Sequence, residues 1–132
     1  MDDEEIPENF YPTLQEFLEK DGWITTSFIT HDEFDELYVR KGLRTVTLNT
    51  DGDALVLRTL QLARIAAKEP RTGALRRLVQ EVDKLSAGKL PIYIENLYDE
   101  NAASGILSSD LGFQQVDEDR GFAACLLRLP PS

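Results

Sequence analysis

The sequence predicts an α+β fold in which helices flank a mixed, mostly antiparallel sheet. Residues 74–87 place their apolar side chains on one face of a helix, whereas residues 43–50 alternate as a half-buried strand does. The 132 residues, 42% of them hydrophobic, suit one ordinary domain with a buried core. We expect an acidic arm over residues 1–12, where two prolines lie among acidic side chains, and a single domain over residues 13–132.

The first elements are expected to be short. Residues 13–20 carry apolar side chains at helical spacing and predict a helix, whereas residues 23–29 are rich in β-branched and aromatic residues and predict a strand. Thr30 and Glu33 have the spacing of a capping box, in which each side chain bonds the backbone at the other residue. We therefore expect this box to open a helix that carries Phe34, Leu37 and Tyr38 on one face and ends near Gly42.

Residues 54–67 fit two interpretations. Leu60 and Leu62 alternate with polar neighbours, as in a strand that follows the hairpin turn over residues 49–53. The same segment also carries an apolar stripe at helical spacing, which begins at Val56. We favour the strand.

The remaining elements alternate between helices and strands. They are a helix over residues 74–87 that ends at Gly88, a strand over residues 90–94, a helix from Asn101 to about Asp110, and two closing antiparallel strands over residues 113–116 and 123–129. Asn101 is expected to cap its helix.

Charge is distributed unevenly along the chain. Residues 1–36 contain twelve acidic residues and one basic residue, whereas the rest of the chain contains 12 acidic and 13 basic residues. Such a region repels nucleic acid and attracts basic partners, so we expect a basic protein partner and no nucleic acid; a solvated acidic surface is the simpler alternative. Residues 58–77 instead contain six basic residues and one acidic residue, which indicates an anionic ligand.

Composition excludes several classes of site. Cys125 is the only cysteine, so the chain can form neither an internal disulfide nor a cysteine-based zinc site, and we expect no metal ion. This cysteine usage and the acidic start of the chain predict a cytoplasmic protein without an export signal. The longest apolar runs, such as residues 122–127, are far shorter than the ~20 residues of a membrane span.

A basic turn that contains a glycine precedes the helix over residues 74–87. Helix N-termini present free backbone N–H groups and a partial positive charge, and both favour phosphate. Gly73 permits close approach of a ligand, Thr72 offers a hydroxyl, and Arg71 and Arg76 can pair with phosphate oxygens. An ordinary strand-to-helix connection on a basic surface has the same pattern, so both interpretations stay open.

Two motifs in the second half of the chain have counterparts in a known family. Residues 70–75 read Pro-Arg-Thr-Gly-Ala-Leu and align with Arg/Gln-x-x-Gly-x-Gly/Ala, with a strict match at the central glycine. Asn101 and Gly112-Phe113 have the spacing of Asn-x-x-Ala-x-x-x-Tyr-x-x-x-Gly-Phe, with Ser104 and Ser108 in the Ala and Tyr positions. The chain thus resembles the GNAT superfamily of acyl-CoA-dependent N-acetyltransferases. Small acidic chains of this kind are familiar among bacteriophage-encoded proteins.

The resemblance implies a GNAT-like sheet in which two neighbouring strands splay apart and hold acetyl-CoA as a cosubstrate. Residues 90–94 would form the second of these strands. Ile65 and Ala67 would hydrogen-bond the pantetheine arm through their backbone groups. The further cofactor-binding residues that the resemblance implies are Arg71, Thr72, Gly73, Ala74, Arg76 and Asn101.

Acetyl transfer needs a base for the acceptor amine and an acid for the leaving thiolate. The resemblance places Ser108 where the family has its acid, a tyrosine, and serine is a much weaker acid. Tyr98, in the loop after residues 90–94, is a second candidate for the acid. Glu95 is the best candidate for the base, with a structural, solvent-facing carboxylate as the alternative.

We therefore predict an acyl-CoA-binding protein that transfers an acetyl group to an amine on a small molecule or a protein. The alternative is a GNAT-like fold with impaired catalysis that acts as an acidic protein-interaction or regulatory module, which the departures at Pro70 and Ser108 favour. The expected partners are an amine acceptor, a basic protein and a second copy of the chain in a homodimer, but no membrane.

Overall fold

The chain folds into three helices and six strands over the residues that our computed structural model describes, which are 11–19, 26–48, 52–69, 73–97, 100–117 and 124–130. The elements are α1 (Leu14–Glu19), β1 (Thr26–Phe28), β2 (Phe34–Thr47), β3 (Ala54–Ala67), α2 (Ala74–Ser86), β4 (Ile92–Leu97), α3 (Glu100–Leu107), β5 (Phe113–Val116) and β6 (Ala124–Arg128). The predicted α+β class is confirmed.

The six strands form one sheet with the order β1-β2-β3-β4-β6-β5. β3 and β4 are parallel, and α2 lies between them in the chain as the crossover that a parallel pair requires. The other neighbouring strands are antiparallel. The sheet is therefore mixed and mostly antiparallel, as the sequence predicts.

β2 contains residues 34–42 of the helix that was predicted to open at Thr30, so that prediction is wrong. Those residues lie in a strand that pairs with β3 along its length. The ladder shifts between Phe34 and Glu36, so Asp35 is an extra residue in a β-bulge. This bulge places Phe34 and Leu37 on the same buried face although they are three residues apart. A spacing of three is also the spacing of a helix, which explains the mistaken prediction.

β3 confirms the strand that we favoured over residues 54–67. It forms a long antiparallel hairpin with β2. At the closed end, the Leu48 N–H donates to the Asp53 carbonyl oxygen and the Gly52 N–H donates to the Leu48 carbonyl oxygen, both at 2.9 Å. Residues 49–51 of the predicted turn lie outside the described residues.

The Thr-x-x-Glu pattern occurs at two places, and it forms a capping box at only one of them. At α1, the Thr13 N–H donates to Glu16 Oε1 (2.9 Å) and the Glu16 N–H donates to Thr13 Oγ1 (3.2 Å), which is a capping box. Thr30 instead donates its hydroxyl to the Tyr11 carbonyl oxygen (3.0 Å), and Glu33 lies in the turn between β1 and β2. The capping box that was predicted at Thr30 and Glu33 is therefore wrong, and the one at Thr13 and Glu16 was not predicted.

The C-terminal elements are confirmed with shifted ends. β4 begins at Ile92 and extends to Leu97, so Glu95 lies inside a strand rather than at its end. The prediction of Asn101 as a helix cap is wrong, because Asn101 is the second residue of α3, which ends at Leu107. β5 and β6 are antiparallel neighbours, as predicted.

Helices cover one face of the sheet, which we call the helix-covered face. In the main core, Phe17 of α1 and Leu78 of α2 pack with Leu62 of β3 and Ile94 of β4. The Lys41 Nζ atom on β2 donates to the Phe17 carbonyl oxygen at 2.5 Å. Apolar burial and this hydrogen bond together hold α1 against the sheet.

The opposite face is concave, because the sheet curls until β2 meets β5. Leu48 forms a bridge with Val116, the Thr47 N–H donates to Asp117 Oδ1 (2.8 Å), and the Asp117 N–H donates to the Thr47 carbonyl oxygen (2.9 Å). The curled strands enclose a second apolar cluster, to which none of the described helices contributes a buried residue. Its buried residues are Val46, Tyr93, Val116, Cys125 and Leu127. We call this side the concave face.

A buried ion pair fixes α2 against β6. Arg128 is 9% exposed, and its guanidinium donates to both carboxylate oxygens of Asp83 at 2.8 and 2.7 Å. Its Nε atom donates to the Leu111 carbonyl oxygen at 2.7 Å. All three guanidinium nitrogens therefore attach α2 and the α3–β5 connection to the sheet.

Removal of the carboxylate partner of Arg128 should destabilise the fold strongly. We expect Asp83→Asn to lower the free energy of unfolding by about 2–4 kcal/mol, because a buried guanidinium loses its counter-charge. Denaturant unfolding measures this change. Arg58→Ala, at an exposed position on β3, is the control and should change stability by less than about 0.5 kcal/mol. An equally small effect of Asp83→Asn would contradict the assigned role of the ion pair.

Candidate functional site

β3 and β4 separate beyond a short parallel ladder. The ladder pairs Leu60 with Ile92, Gln61 with Tyr93 and Leu62 with Ile94. After it, β3 continues to Ala67 beside β2, and β4 continues to Leu97 beside β6. Within the described residues, the two strands thus bound a gap that opens toward their C-terminal ends. We call this gap the wedge.

The separation begins at a β-bulge in β3. Tyr38 of β2 pairs with Arg64 and Val39 pairs with Leu62, so Ala63 is an extra residue on β3. A bulge bends its strand and increases the local twist. Ala63 directly follows the last residue of β3 that pairs with β4. The bulge therefore turns β3 away from β4 at the base of the wedge.

Strand edges line the wedge. Over residues 63–67, β3 has no strand partner on the β4 side in the part of the chain that is described. Backbone groups that point to this side can pair with an extended ligand. The side chains of Ile65 and Ala67 are partly buried against the main core. The backbone groups of these residues could therefore bond a ligand while their side chains stay packed in the core. The hydrogen bonds to a pantetheine arm that the resemblance implies stay a prediction.

α2 begins near the open end of the wedge. Five residues separate Ala67 from Gly73, which is the N-cap of α2 and has a φ of 84°. This left-handed conformation favours glycine. Gly73 makes no side-chain capping hydrogen bond, so it leaves the first N–H groups of α2 to another acceptor. Ala74, the first residue of α2, buries its side chain in the core.

Arg77 lies beside Gly73, although sequence patterns do not single it out. Its Nη1 atom is 3.2 Å from the position that a Cβ atom on Gly73 would take. Its guanidinium pairs with Glu33 through Nε (2.7 Å) and Nη2 (2.5 Å). The hydrogen bond from Arg77 lowers the pKa of Glu33, and the same bond raises the pKa of Arg77. Residues four apart in a helix are neighbours on its surface. The position of Arg77, four residues after Gly73, is therefore the sequence signal that could have placed it beside the helix N-terminus.

The β1–β2 turn holds Glu33 between β3 and α2. The Glu33 N–H donates to His31 Nδ1 (3.1 Å), and its carbonyl oxygen accepts from the Lys68 N–H (2.9 Å). Because Nδ1 of His31 is an acceptor, Nε2 carries the proton and donates to Glu81 of α2 (3.0 Å). The turn therefore connects the end of β3 to the middle of α2.

Arg76, a predicted phosphate ligand, pairs with the segment after α3. Its Nη2 atom donates to Asp110 Oδ1 at 2.6 Å, and this hydrogen bond lowers the pKa of Asp110. A phosphate group would have to compete with Asp110 for Arg76. The predicted site residues Arg71, Thr72 and Tyr98 lie outside the described residues and stay predictions.

Glu95, the predicted base, lies on the concave face at the base of the wedge. It follows Ile94, the last residue of β4 in the ladder with β3. Its Oε1 atom accepts from Arg40 Nη1 at 2.7 Å, and its Oε2 atom is 3.5 Å from Arg44 Nη1. The Glu95 side chain is 10% exposed, so it is held between two guanidinium groups rather than surrounded by solvent.

A buried tyrosine connects Arg44 to Asp117. The Arg44 guanidinium lies over the Tyr93 ring, 4.2 Å from its centroid, and donates to the Tyr93 hydroxyl at 3.2 Å. That hydroxyl donates to Asp117 Oδ2 at 2.5 Å. Burial and the hydrogen bond to Asp117 raise the pKa of Tyr93. Tyr93 therefore stays protonated and orients Arg44, which in turn contacts Glu95.

Asn101 and Ser108 lie at opposite ends of α3. Asn101 is in the first turn, close in sequence to the end of β4. Ser108 directly follows the helix, is exposed, and donates its hydroxyl to the Gly105 carbonyl oxygen at 3.3 Å. The eight residues of α3 span about 12 Å. Ser108 therefore lies at the end of α3 opposite to the end that follows β4.

Comparisons with known proteins yield no match: no family model, no curated protein and no solved structure is similar to the chain. In the described part of the chain, no three His, Cys, Asp or Glu residues are arranged to hold a metal ion. None of the described helices combines the length and the apolar character that crossing a membrane would take. The geometry of the wedge is therefore the basis for assigning a function.

The ion pair between Glu33 and Arg77 should make stability depend on pH. The pKa of Glu33 is lowered from its ordinary value of 4.5, so its contribution is present above that value and is lost as the pH falls through the lowered pKa. Glu33→Gln should therefore lower Tm at neutral pH, and the difference from wild type should shrink on acidification. Thermal melts over a pH series measure this; a difference that stays constant would contradict the role of the ion pair.

Proposed function

We propose that this chain binds an acyl-CoA in the wedge and transfers the acyl group to an amine. The observation that carries the proposal is that the only parallel strand pair of the described sheet ends at a β-bulge, beyond which two strand edges diverge. Diverging edges offer N–H and C=O groups to a narrow, extended ligand that itself contains amides. The pantetheine arm of CoA is such a ligand, and the resemblance to the GNAT superfamily implies the same arrangement.

The position of α2 supports a ligand with a pyrophosphate group. The helix begins at Gly73 near the open end of the wedge, with Arg77 beside it. A pyrophosphate there would accept hydrogen bonds from the first turn and attract Arg77 away from Glu33. Arg71 and Thr72, next to Gly73 in sequence, are proposed as further ligands.

The carboxylate of Glu95 is the group that would attract an amine to the base of the wedge. In the proposed reaction, the amine nitrogen attacks the thioester carbonyl, a C–N bond forms, and the C–S bond breaks. An amine that arrives as an ammonium ion is attracted by the Glu95 carboxylate, which would hold its nitrogen beside the acyl group. Tyr98 stays the candidate acid for the leaving thiolate.

A second candidate function is an interaction module that keeps this fold without catalysis. Both oxygens of Glu95 are engaged by guanidinium groups, and the Ser108 hydroxyl bonds its own helix. These two observations favour a chain without a free acid and base. Such a module would use the acidic residues 1–12 to engage a basic protein. CoA binding without transfer to any amine would favour it.

A cytoplasmic location belongs to the same proposal. Cys125 is a buried free thiol, which suits a reducing compartment, and CoA thioesters are cytoplasmic metabolites. A homodimer is the assembly that we propose, and the mass of the protein in solution tests it.

CoA and acetyl-CoA should raise the Tm of the wild-type protein. A ligand at a hundred times its Kd stabilises the folded state by ~2.7 kcal/mol, which corresponds to several degrees for a chain of this size. A thermal-shift titration up to millimolar CoA measures the effect. The absence of any shift at millimolar CoA would contradict the proposed function.

Arg71→Ala should weaken CoA binding by about one to two decades, because a charged hydrogen bond to phosphate is worth ~1.5–3 kcal/mol. Arg58→Ala removes the same charge from a position on β3 before the wedge and should change the affinity little. Calorimetric titration of both variants separates the outcomes. Equal losses would indicate a diffuse electrostatic effect, and unchanged affinity in Arg71→Ala would show that the turn does not bind the phosphates.

A further inference from the structure

An ion pair crosses β3 on the concave face. Arg40 lies on β2 opposite Gln61 of β3, and Glu95 lies on the next strand, β4. Their side chains meet above β3, where Arg40 Nη1 is 2.7 Å from Glu95 Oε1. Because Glu95 directly follows the ladder between β3 and β4, a positive and a negative group lie side by side at the base of the wedge.

The positive member of this pair is accessible. The Arg40 side chain is 43% exposed, whereas that of Glu95 is 10% exposed. Within the described residues, one Nη1 donor of Arg40 is used by Glu95, and a guanidinium has five N–H donors. Gly42, two residues along β2 on the same face, has no side chain, and a Cβ atom there would meet no atom of the described residues within 4 Å. Open space therefore adjoins Arg40.

The acyl end of a ligand in the wedge would face this ion pair. α2, which begins at the proposed pyrophosphate site, packs on the opposite, helix-covered face. A pantetheine arm that starts on that side and passes through the wedge emerges on the concave face beside Glu95. An acceptor then has to approach from the concave face.

We propose that the acceptor is an amine that also carries a carboxylate, as an amino acid does. The inference rests on the proposed function. The ammonium group pairs with Glu95, and the carboxylate accepts hydrogen bonds from the remaining N–H donors of Arg40. The thioester and the ammonium ion give an amide and a thiol: the C–N bond forms and the C–S bond breaks. The nitrogen loses two protons, of which one is taken up by the leaving thiolate sulfur and one is released to water.

The charges of the concave face match a zwitterion. Two guanidinium groups, Arg40 and Arg44, and two carboxylates, Glu95 and Asp117, belong to one network around protonated Tyr93. A zwitterion adds no net charge to this balanced set and gives Arg40 and Glu95 each a partner of opposite charge. An amine without a carboxylate would instead place an uncompensated positive charge beside Arg40.

The test compares free amino acids with their amides, which keep the amine and lack the carboxylate. Wild-type protein saturated with CoA is titrated calorimetrically with L-amino acids that cover small, acidic, basic and aromatic side chains. We expect at least one amino acid to bind about 10- to 100-fold more tightly than its amide, as one charged hydrogen-bonded contact would produce. With acetyl-CoA, kcat/KM for thiol release should show the same preference.

Two variants of Arg40 test whether this residue causes the preference for the amino acid over its amide. Arg40→Ala should abolish the difference between acid and amide, and Arg40→Lys should reduce it, because an ammonium group lacks the planar fork of a guanidinium. Arg58→Ala, the control for net charge, should keep the preference. CoA affinity should be unchanged in Arg40→Ala, which verifies that this variant is folded, since the proposed phosphate site lies on the other face.

The outcomes separate this inference from the proposed function. Three results would overturn the zwitterionic acceptor while CoA still binds. These are equal affinity for acid and amide, no binding of either, and a preference for the acid that survives in Arg40→Ala. Each of them leaves acyl-CoA binding intact. Failure of CoA to bind overturns the proposed function and the inference with it.

Discussion

One extra residue in β3 makes the two central strands of the sheet diverge. A strand inside a sheet normally pairs on both sides, because each buried N–H and C=O group needs a partner. At Ala63 this pairing ends on the side of β4, while β3 keeps its ladder to β2 as far as Ala67. Among the described residues, these backbone groups lack a strand partner on that side. In the function that we propose, binding at the wedge therefore derives from the backbone, and side chains near it add selectivity.

Charged contacts at both ends of α2 fix this helix relative to the wedge. Near its C-terminus, Asp83 pairs with buried Arg128 of β6. In its first turn, Arg77 pairs with Glu33, whose backbone also bonds the end of β3. The helix is thus attached to strands on both sides of the wedge. A shift of its N-terminus relative to β3 would break ion pairs, so the distance between strand edge and helix N-terminus is set by the fold itself.

Sequence patterns predicted elements well where one apolar face coincides with one period, as in α2. Residues 54–67 fitted both periods, and the favoured strand is the one that forms. The predicted strand over residues 43–50 overlaps the second half of β2. The first half of β2 was predicted wrongly as a helix, since the bulge at Asp35 gives a strand the spacing of a helix. For the site, chain order was sufficient to place Gly73 at the start of α2. The pairing of Arg40 with Glu95 depends on residues 55 positions apart, and no local pattern contains that information. The contact between Arg77 and Glu33 spans 44 positions for the same reason.

The curl of the sheet also bears on the order in which the chain folds. Thr47 and Asp117, whose hydrogen bonds close the concave face, are 70 residues apart, whereas β2 and β3 are joined by a short turn. The entropy of loop closure favours early formation of the hairpin and late formation of contacts at such a separation. Tyr93 is therefore covered only near the end of folding. Until then, the apolar strands around it are exposed to other chains, and this late stage is where aggregation competes with folding.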